Sequence, residues 1–444
     1  MKNIVLFGAG LSSSSLIKYL LDHSEKYDWK LRIGDVSREL AESKINGHKN
    51  GVGFRFDINN EFQRDEEVKN ADIVISMLPA RMHPLVAKCC IKHGKDMVTA
   101  SYVSEELKSM KDEIDKSGIL ILNEIGVDPG IDHMSAMQVI DRLKAQGAKI
   151  TGFKSYTGGL VAPQSDNNPW NYKFTWNPRN VVVAGQGAAA QYILNGEYKY
   201  IPYHRLFTET TKTEIPGYGS FEGYPNRDSL KYRSIYNLEN IPTMIRGTFR
   251  RFGYCESWNI FVQLGLTEDT YALENSENMS YRDFLNAFLP YDTKLSVEEK
   301  FMNLFNLKPD SQIMKKFEWL GIFGNTNIGI VNATPAQALQ KLLEEKWALE
   351  KNDIDMIVMQ HLFEYELNGK KKELTSSLVV EGIDNVHTAM SITVGTPVAI
   401  AVKMILTGQI KERGIQIPIN KSIYEPVLKE LKDFKVEFVE TELS

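Results

Sequence analysis

Ile4-Val5-Leu6-Phe7-Gly8-Ala9-Gly10-Leu11-Ser12-Ser13 decides how the rest of the chain is read. A short apolar run predicts a buried strand, a tight glycine turn follows, and Ser13 to Lys26 has the pattern of a helix. Gly8 permits the turn. Gly10 lets the backbone come close to a pyrophosphate, and the helix amino end offers N–H groups and partial positive charge. Ser13 stands where the third glycine of a G-x-G-x-x-G fingerprint would be, and a small residue there still allows close helix–strand packing. A second strand, Leu31 to Gly34, ends in Asp35, placed to accept hydrogen bonds from an adenosine ribose. Strand, glycines, helix, strand and acid in this order predict a dinucleotide-binding unit with Gly8, Ala9, Gly10, Leu11, Ser12 and Asp35 around the cofactor.

The remaining composition narrows the class. A chain of 444 residues exceeds one compact core and predicts two or three domains. Hydrophobic content of 43% and charged content of 25% suit a globular protein, and a net charge of −5 gives no reason to expect nucleic acid or an anionic membrane. Cys89, Cys90 and Cys255 can supply neither a disulfide framework nor a four-ligand metal site, so a reduced, cytoplasmic setting and no metal are expected. No charged leader precedes the first strand, and the apolar run Pro397 to Leu406 is interrupted by Lys403, far short of a membrane span.

The first part of the chain alternates strand and helix. Val52 to Asp57, Ala71 to Leu78, Asp96 to Thr99 and Ile119 to Asn123 read as further strands, with helices at Pro84 to His93 and Glu105 to Lys116. Near-continuous apolar strands separated by amphipathic helices predict a parallel sheet covered on both faces. Right-handed crossovers then gather Gly8, Asp35, Asp57, Leu78 and Ser101 at one edge. Asp57 can meet the adenine amino group or cap a turn. The hydroxyls of Thr99-Ala100-Ser101-Tyr102 fall where a nicotinamide and a substrate would meet. In Asn123 to His133, Asp128 suits a ligand and Asp132 suits the cap of a helix from His133 to Gln146.

From Thr151 the pattern changes. Ile150 to Tyr156, Asn180 to Ala184 and Tyr198 to Ile201 read as strands, and the loop Asn168 to Trp176 reads as a lid. Arg246, between Ile245 and Gly247, reads as a partly buried guanidinium seeking a carboxylate, whereas Arg250 and Arg251 read as a solvated face. Tyr281 to Leu307 and Ile313 to Phe317 suggest a helical lobe, and Thr334-Pro335 opens a capped helix to Lys351. Asn368-Gly369 between two alternating runs is a type I′ hairpin signal, and so long an antiparallel sheet predicts a homodimer. Ala389 to Leu406 is an apolar helix broken at Thr396-Pro397, expected to pack back on the first domain.

Taken jointly, Thr99 to Tyr102, Asn123 to His133, Ser155-Tyr156-Thr157-Gly158-Gly159-Leu160, Tyr172 to Trp176, Ile245-Arg246-Gly247-Thr248 and Thr393 to Pro397 resemble the saccharopine dehydrogenases. The resemblance is to the glutamate-forming type, the saccharopine reductases, and runs from Ile4 to about Tyr424. It implies an α/β protein: a Rossmann domain with a doubly wound parallel sheet, a second α/β domain with a large mixed sheet used in dimerisation, and a small helical lobe. Domains are expected at 1–130, 131–390 (lobe about 280–320) and 391–444, the last made of helices. The implied reaction is NAD(P)-linked oxidation of the secondary amine of saccharopine, with hydrolysis to glutamate and 2-aminoadipate semialdehyde. Residue by residue, Tyr102, Asp128 and Arg246 fall on substrate positions, and Ala9 to Ser12, Asp35, Asp57 and Ser101 on cofactor positions, with Thr175 a further cofactor candidate. Ser101 also borders the substrate. A substrate with three carboxylates suits an arginine, and its amines suit Asp128. Tyr102 and Asp128 are the candidates for proton transfer.

The chain departs from that family in two places. Thr157 stands where a cysteine is common, and Gly34-Asp35-Val36 puts an acid where a 2′-phosphate would lie, which favours NAD, with Arg38 leaving NADP open. The rival readings are a related imine-forming enzyme (lysine-forming saccharopine or carboxynorspermidine dehydrogenase) and a non-catalytic nucleotide sensor.

Overall fold

The computed structural model describes residues 1–443. The opening run forms β1 (Lys2–Phe7), and its last four residues are buried. Strands and helices then alternate: α1 (Ser14–Tyr27), β2 (Trp29–Asp35), α2 (Arg38–Ile45), β3 (Gly51–Arg55), α3 (Glu61–Lys69), β4 (Ile73–Ser76), α4 (His83–His93) and β5 (Asp96–Val98). The helix expected over Glu105 to Lys116 is two, α5 (Glu105–Ser109) and α6 (Lys111–Ser117), jointed at Met110, before β6 (Leu120–Leu122) and α7 (Ile131–Ala145). Side chains set the boundaries: Ser37 accepts from the Leu40 N–H at 3.1 Å and Asn60 from Gln63 at 3.1 Å, each capping its helix.

The second part contains β7 (Lys149–Val161), α8 (Pro178–Val182), β8 (Ala190–Leu194), β9 (Glu197–Ile201), β10 (Thr211–Ile215), β11 (Gly219–Pro225), α9 (Tyr232–Ile235) and β12 (Thr243–Arg251). Helices α10 (Tyr254–Leu264), α11 (Tyr281–Ala287), α12 (Val297–Phe305), α13 (Gln312–Leu320) and α14 (Pro335–Lys346) follow. The chain closes with β13 (Asp355–Leu367), β14 (Lys370–Glu381), α15 (Ala389–Leu406), β15 (Gly414–Gln416), α16 (Lys421–Leu431) and β16 (Val439–Leu443).

Seven strands make a parallel sheet ordered β15-β6-β5-β4-β1-β2-β3. The order reverses between β1 and β4, which opens the ligand crevice at their carboxyl ends. The second sheet is mixed and nine-stranded. In it β12 runs parallel to β7, while β11 and β10 follow antiparallel. Asn368 and Gly369, at φ 53° and 72°, turn β13 into β14 as the type I′ signal requires. Two compact units result, Met1–Ile150 with Glu364–Ser444, and Thr151–Phe363. The first unit therefore reaches beyond residue 130 and takes in the carboxyl-terminal segment from Glu364, not from 391.

Several expectations are corrected by packing. Asn180 to Ala184 is not a strand: Asn177 caps and Pro178 opens the short helix α8. Asn168 to Trp176 is not a lid. Trp170 and Tyr172 are fully buried, with Trp170 stacked on Phe261 at 5.6 Å, and Lys173 pairs with Asp353 at 2.6 Å in the interior. The segment 391–444 is not all helix, since β15 extends the parallel sheet beside β6 and β16 pairs with β14. Asp132 lies inside α7, where its carboxylate accepts from the Gly130 N–H at 2.6 Å instead of capping from outside.

Helix α15 runs unbroken through Pro397. It is long and apolar enough to cross a bilayer, contrary to the shorter run read from the sequence, but 72% of it is buried. It packs on α1 through Gly395, whose added Cβ would lie 2.7 Å from the Ser12 carbonyl oxygen and 3.0 Å from the Leu16 nitrogen. Backbone cannot yield as a side chain can. Gly395→Ala is expected to cost about 1–3 kcal/mol of stability, although alanine's helix preference of about 1 kcal/mol acts the other way. A urea midpoint that stays where it was would disprove the close crossing.

Candidate active site

The carboxyl edge of the parallel sheet is built from the turns after β1, β2, β4 and β5. Gly8 has φ 101°, a left-handed value that other residues rarely adopt, and a Cβ on it would meet the Met77 carbonyl at 2.7 Å. Gly10 has nothing within 4 Å of its Cβ position, so the turn presents open backbone where a pyrophosphate fits. Leu11 is exposed beside it, and Ser12 leads through a short 3₁₀ turn into α1.

Asp35 sits next to this turn. One oxygen accepts from the Ala9 N–H at 2.7 Å and the other from Ser37 at 3.0 Å, so the carboxylate is aimed by backbone from both elements. Lys44 reaches over from α2 to donate to the Gly10 carbonyl and to Ser14 Oγ at 2.9 Å. Burial lowers its pKa to about 8, an effect that the charge of Asp35 opposes. Nothing in the local sequence marked Lys44, because its partners belong to a different element. Asp57, just past β3, is exposed, and its Oδ1 accepts from the Asn59 N–H at 2.9 Å as a turn cap does.

The other half of the edge is lined by hydroxyls and one carboxylate. Ser101 follows β5, its N–H donating to Thr99 Oγ1 at 3.3 Å. The Tyr102 hydroxyl, on an exposed side chain, donates to Asp128 Oδ1 at 3.1 Å, so these two predicted residues do meet. The loop that carries Asp128 is anchored by Glu124. This residue holds φ 57°, accepts from the Val103 N–H at 3.0 Å, and pairs with buried His133 at 2.9 Å. A non-glycine residue in that region costs about 1 kcal/mol, so its bonds must hold it there. His83 and Ser76 were not singled out in the sequence, where His83 stands just ahead of the helix read from Pro84. The structure puts the His83 ring between Ser76 Oγ at 2.8 Å and Ser101 Oγ at 2.7 Å.

In the second unit, Arg246 is buried on β12, opposite Ser155 of β7. Its guanidinium carbon lies 3.9 Å from the centre of the Tyr232 ring, and the Arg246 backbone N–H donates to Ser229 Oγ at 2.9 Å. Arg250 and Arg251 are not a solvated face. Arg250 is 3% exposed, with Tyr172, Tyr224 and Tyr254 around its guanidinium at 5.2, 5.7 and 5.3 Å. Arg251 is half-buried over Phe221. The register pairs Thr157 with Thr248. Strand alternation then puts Ser155, Thr157, Arg246, Thr248 and Arg250 on one face. Thr157 Oγ1 and Arg250 Nε on this face, and Thr175 Oγ1 in the loop before α8, are buried with no hydrogen-bond partner among the described residues.

Comparison with known proteins agrees with this geometry. Residues 4–122 match the model of the saccharopine dehydrogenase NADP binding domain, and residues 126–436 that of the saccharopine dehydrogenase C-terminal domain. The saccharopine dehydrogenase (NADP(+), L-glutamate-forming) of Saccharomyces cerevisiae is 34% identical over 446 residues, covering 97% of each chain. The mitochondrial alpha-aminoadipic semialdehyde synthase of Rattus norvegicus is 35% identical, and this chain spans about half of it, 47%. The solved apo structure of the yeast L-Glu-forming enzyme superimposes with a TM-score of 0.91 at 31% identity, covering all of both chains. A glycine turn with a carboxylate bonded beside it, the hydroxyl-lined strand ends beyond it and this near-complete match all lead to one conclusion: the chain belongs to the saccharopine dehydrogenase family of NAD(P)-dependent oxidoreductases.

Proposed function

We propose that this protein oxidises saccharopine at its secondary amine, releasing glutamate and 2-aminoadipate 6-semialdehyde, with NAD as the preferred acceptor. The observation that carries the proposal is the shared edge: glycine turn, Asp35, Ser101 and the Tyr102–Asp128 pair all stand at the carboxyl ends of one parallel sheet. The residues fit the cofactor, since Gly8 allows the tight turn, Gly10 leaves open space beside it for the phosphates, and the Asp35 carboxylate stands next to that turn, where a ribose would be received. A nicotinamide held there would supply the hydride acceptor for the carbon beside the substrate nitrogen. The chain's own part is to bind and to move protons. Asp128, steadied by the Tyr102 hydroxyl, accepts the amine proton before hydride departure and returns it as water opens the imine. Arg246 holds a substrate carboxylate. Homodimeric assembly and a cytoplasmic setting belong to the same reading. The long β13–β14 hairpin supports the first and three free, buried cysteines the second.

The direct test is absorbance at 340 nm with saccharopine and either NAD or NADP, and no NADH or NADPH formed would refute the assignment. Cofactor choice is tested apart from it. Asp35→Ser removes the charge that repels a 2′-phosphate and is expected to move relative kcat/KM toward NADP by about tenfold or more. An unmoved ratio would take the ribose away from Asp35. Arg246→Lys keeps the charge and loses the fork, so KM for saccharopine should rise about tenfold to a hundredfold at similar Tm. If Tm falls while KM holds, Arg246 only packs.

A further inference from the structure

Two hydroxyls and an imidazole run in line through the first unit, and only the outermost has a part in the reaction described above. Ser76 closes β4 and is fully buried, His83 opens α4 and is 4% exposed, and Ser101 stands at the rim past β5. The ring bridges them, with Nδ1 2.8 Å from Ser76 Oγ and Nε2 2.7 Å from Ser101 Oγ. Burial brings the imidazole pKa down to about 4, so the ring is neutral near pH 7. A neutral imidazole carries one N–H and one lone pair. One hydroxyl must therefore donate to the ring while the other accepts from it, and the Ser101 rotor is held to one sense.

We propose that His83 is a positioning residue: a neutral strut, braced on Ser76, that fixes the Ser101 hydroxyl for a hydrogen bond to the nicotinamide end of the dinucleotide. This rests on the reading that assigns the β4 and β5 tips to that half of the cofactor. A side chain serving only to fill space here would be aliphatic, because burying an imidazole is unfavourable unless both nitrogens are satisfied. A proton wire is disfavoured too, since the line ends on a hydroxyl sealed inside the protein.

Substitution can separate the two ends of the ring. Asparagine places an amide near the Nδ1 position and glutamine near Nε2, so His83→Asn keeps the Ser76 side and His83→Gln keeps the Ser101 side. NADH and NADPH fluorescence titrations on the full chain are the primary readout. His83→Gln should bind the preferred nucleotide within about threefold of the parent, while His83→Asn and Ser101→Ala each weaken binding by about tenfold. Adding Ser101→Ala to His83→Asn should bring no further loss. Equal weakening in the Asn and Gln variants, parent-like binding by His83→Asn, additive losses in the double variant, or a parent that binds neither nucleotide would each overturn the proposal. Normal nucleotide titrations together with no turnover of saccharopine would instead remove the substrate assignment and leave the His83 result standing.

Discussion

The nucleotide-binding edge depends on one close backbone crossing, that of α15 over the start of α1. The Ser15 N–H donates to Ser391 Oγ at 2.9 Å, and the two serine hydroxyls lie 3.0 Å apart. Gly395 then lets the helices approach until its backbone lies against Ser12 and Leu16. The turn that would hold the phosphates is thus braced by residues almost four hundred positions later in the chain. Strand β15 extends the same sheet beside β6, so the nucleotide-binding unit is completed only when the end of the chain returns to its beginning.

What was legible in the sequence was local. The glycine turn, the acid closing β2, the Thr334-Pro335 helix start and the Asn368-Gly369 hairpin are each specified by neighbours a few residues apart, and each formed as read. The carboxyl edge was legible as well, because parallel strands joined by helices have only one way to gather their tips. Tyr102 and Asp128, 26 positions apart, meet for that reason.

What stayed hidden was set by long-range partners. Arg250 looks like part of a solvated charge run because two of the three tyrosines that enclose it, Tyr172 in a loop and Tyr224 on β11, are far from it in sequence. Trp170 and Tyr172 have the composition of a mobile loop until Phe261, Phe317 and Trp347 close over them. Pro397 signals a break that packing overrides, since tertiary contacts outweigh the roughly 3 kcal/mol by which proline disfavours a helix interior.

The edge also divides its chemistry by charge. On the β2 side the polar groups are ionic: Asp35 takes backbone N–H groups, and Lys44 spends its donors on a carbonyl and on serine hydroxyls of the same turn. An ammonium so engaged is poorly placed to gather a 2′-phosphate as well, and the carboxylate beside it would work against one, which is the ground for the NAD preference proposed above. On the β4 and β5 side the groups in line are neutral, a buried imidazole and two hydroxyls, with the Asp128 carboxylate beyond them and Glu124 engaged by the Val103 N–H and His133. A transferring hydride passes between carbons and needs alignment, not a counter-charge, whereas the proton that leaves the amine does need one. On the function proposed above, the neutral wall and the Asp128 carboxylate outside it would meet these two demands, and the dinucleotide's anionic half would fall to the end where glycine backbone and helix N–H groups can receive it.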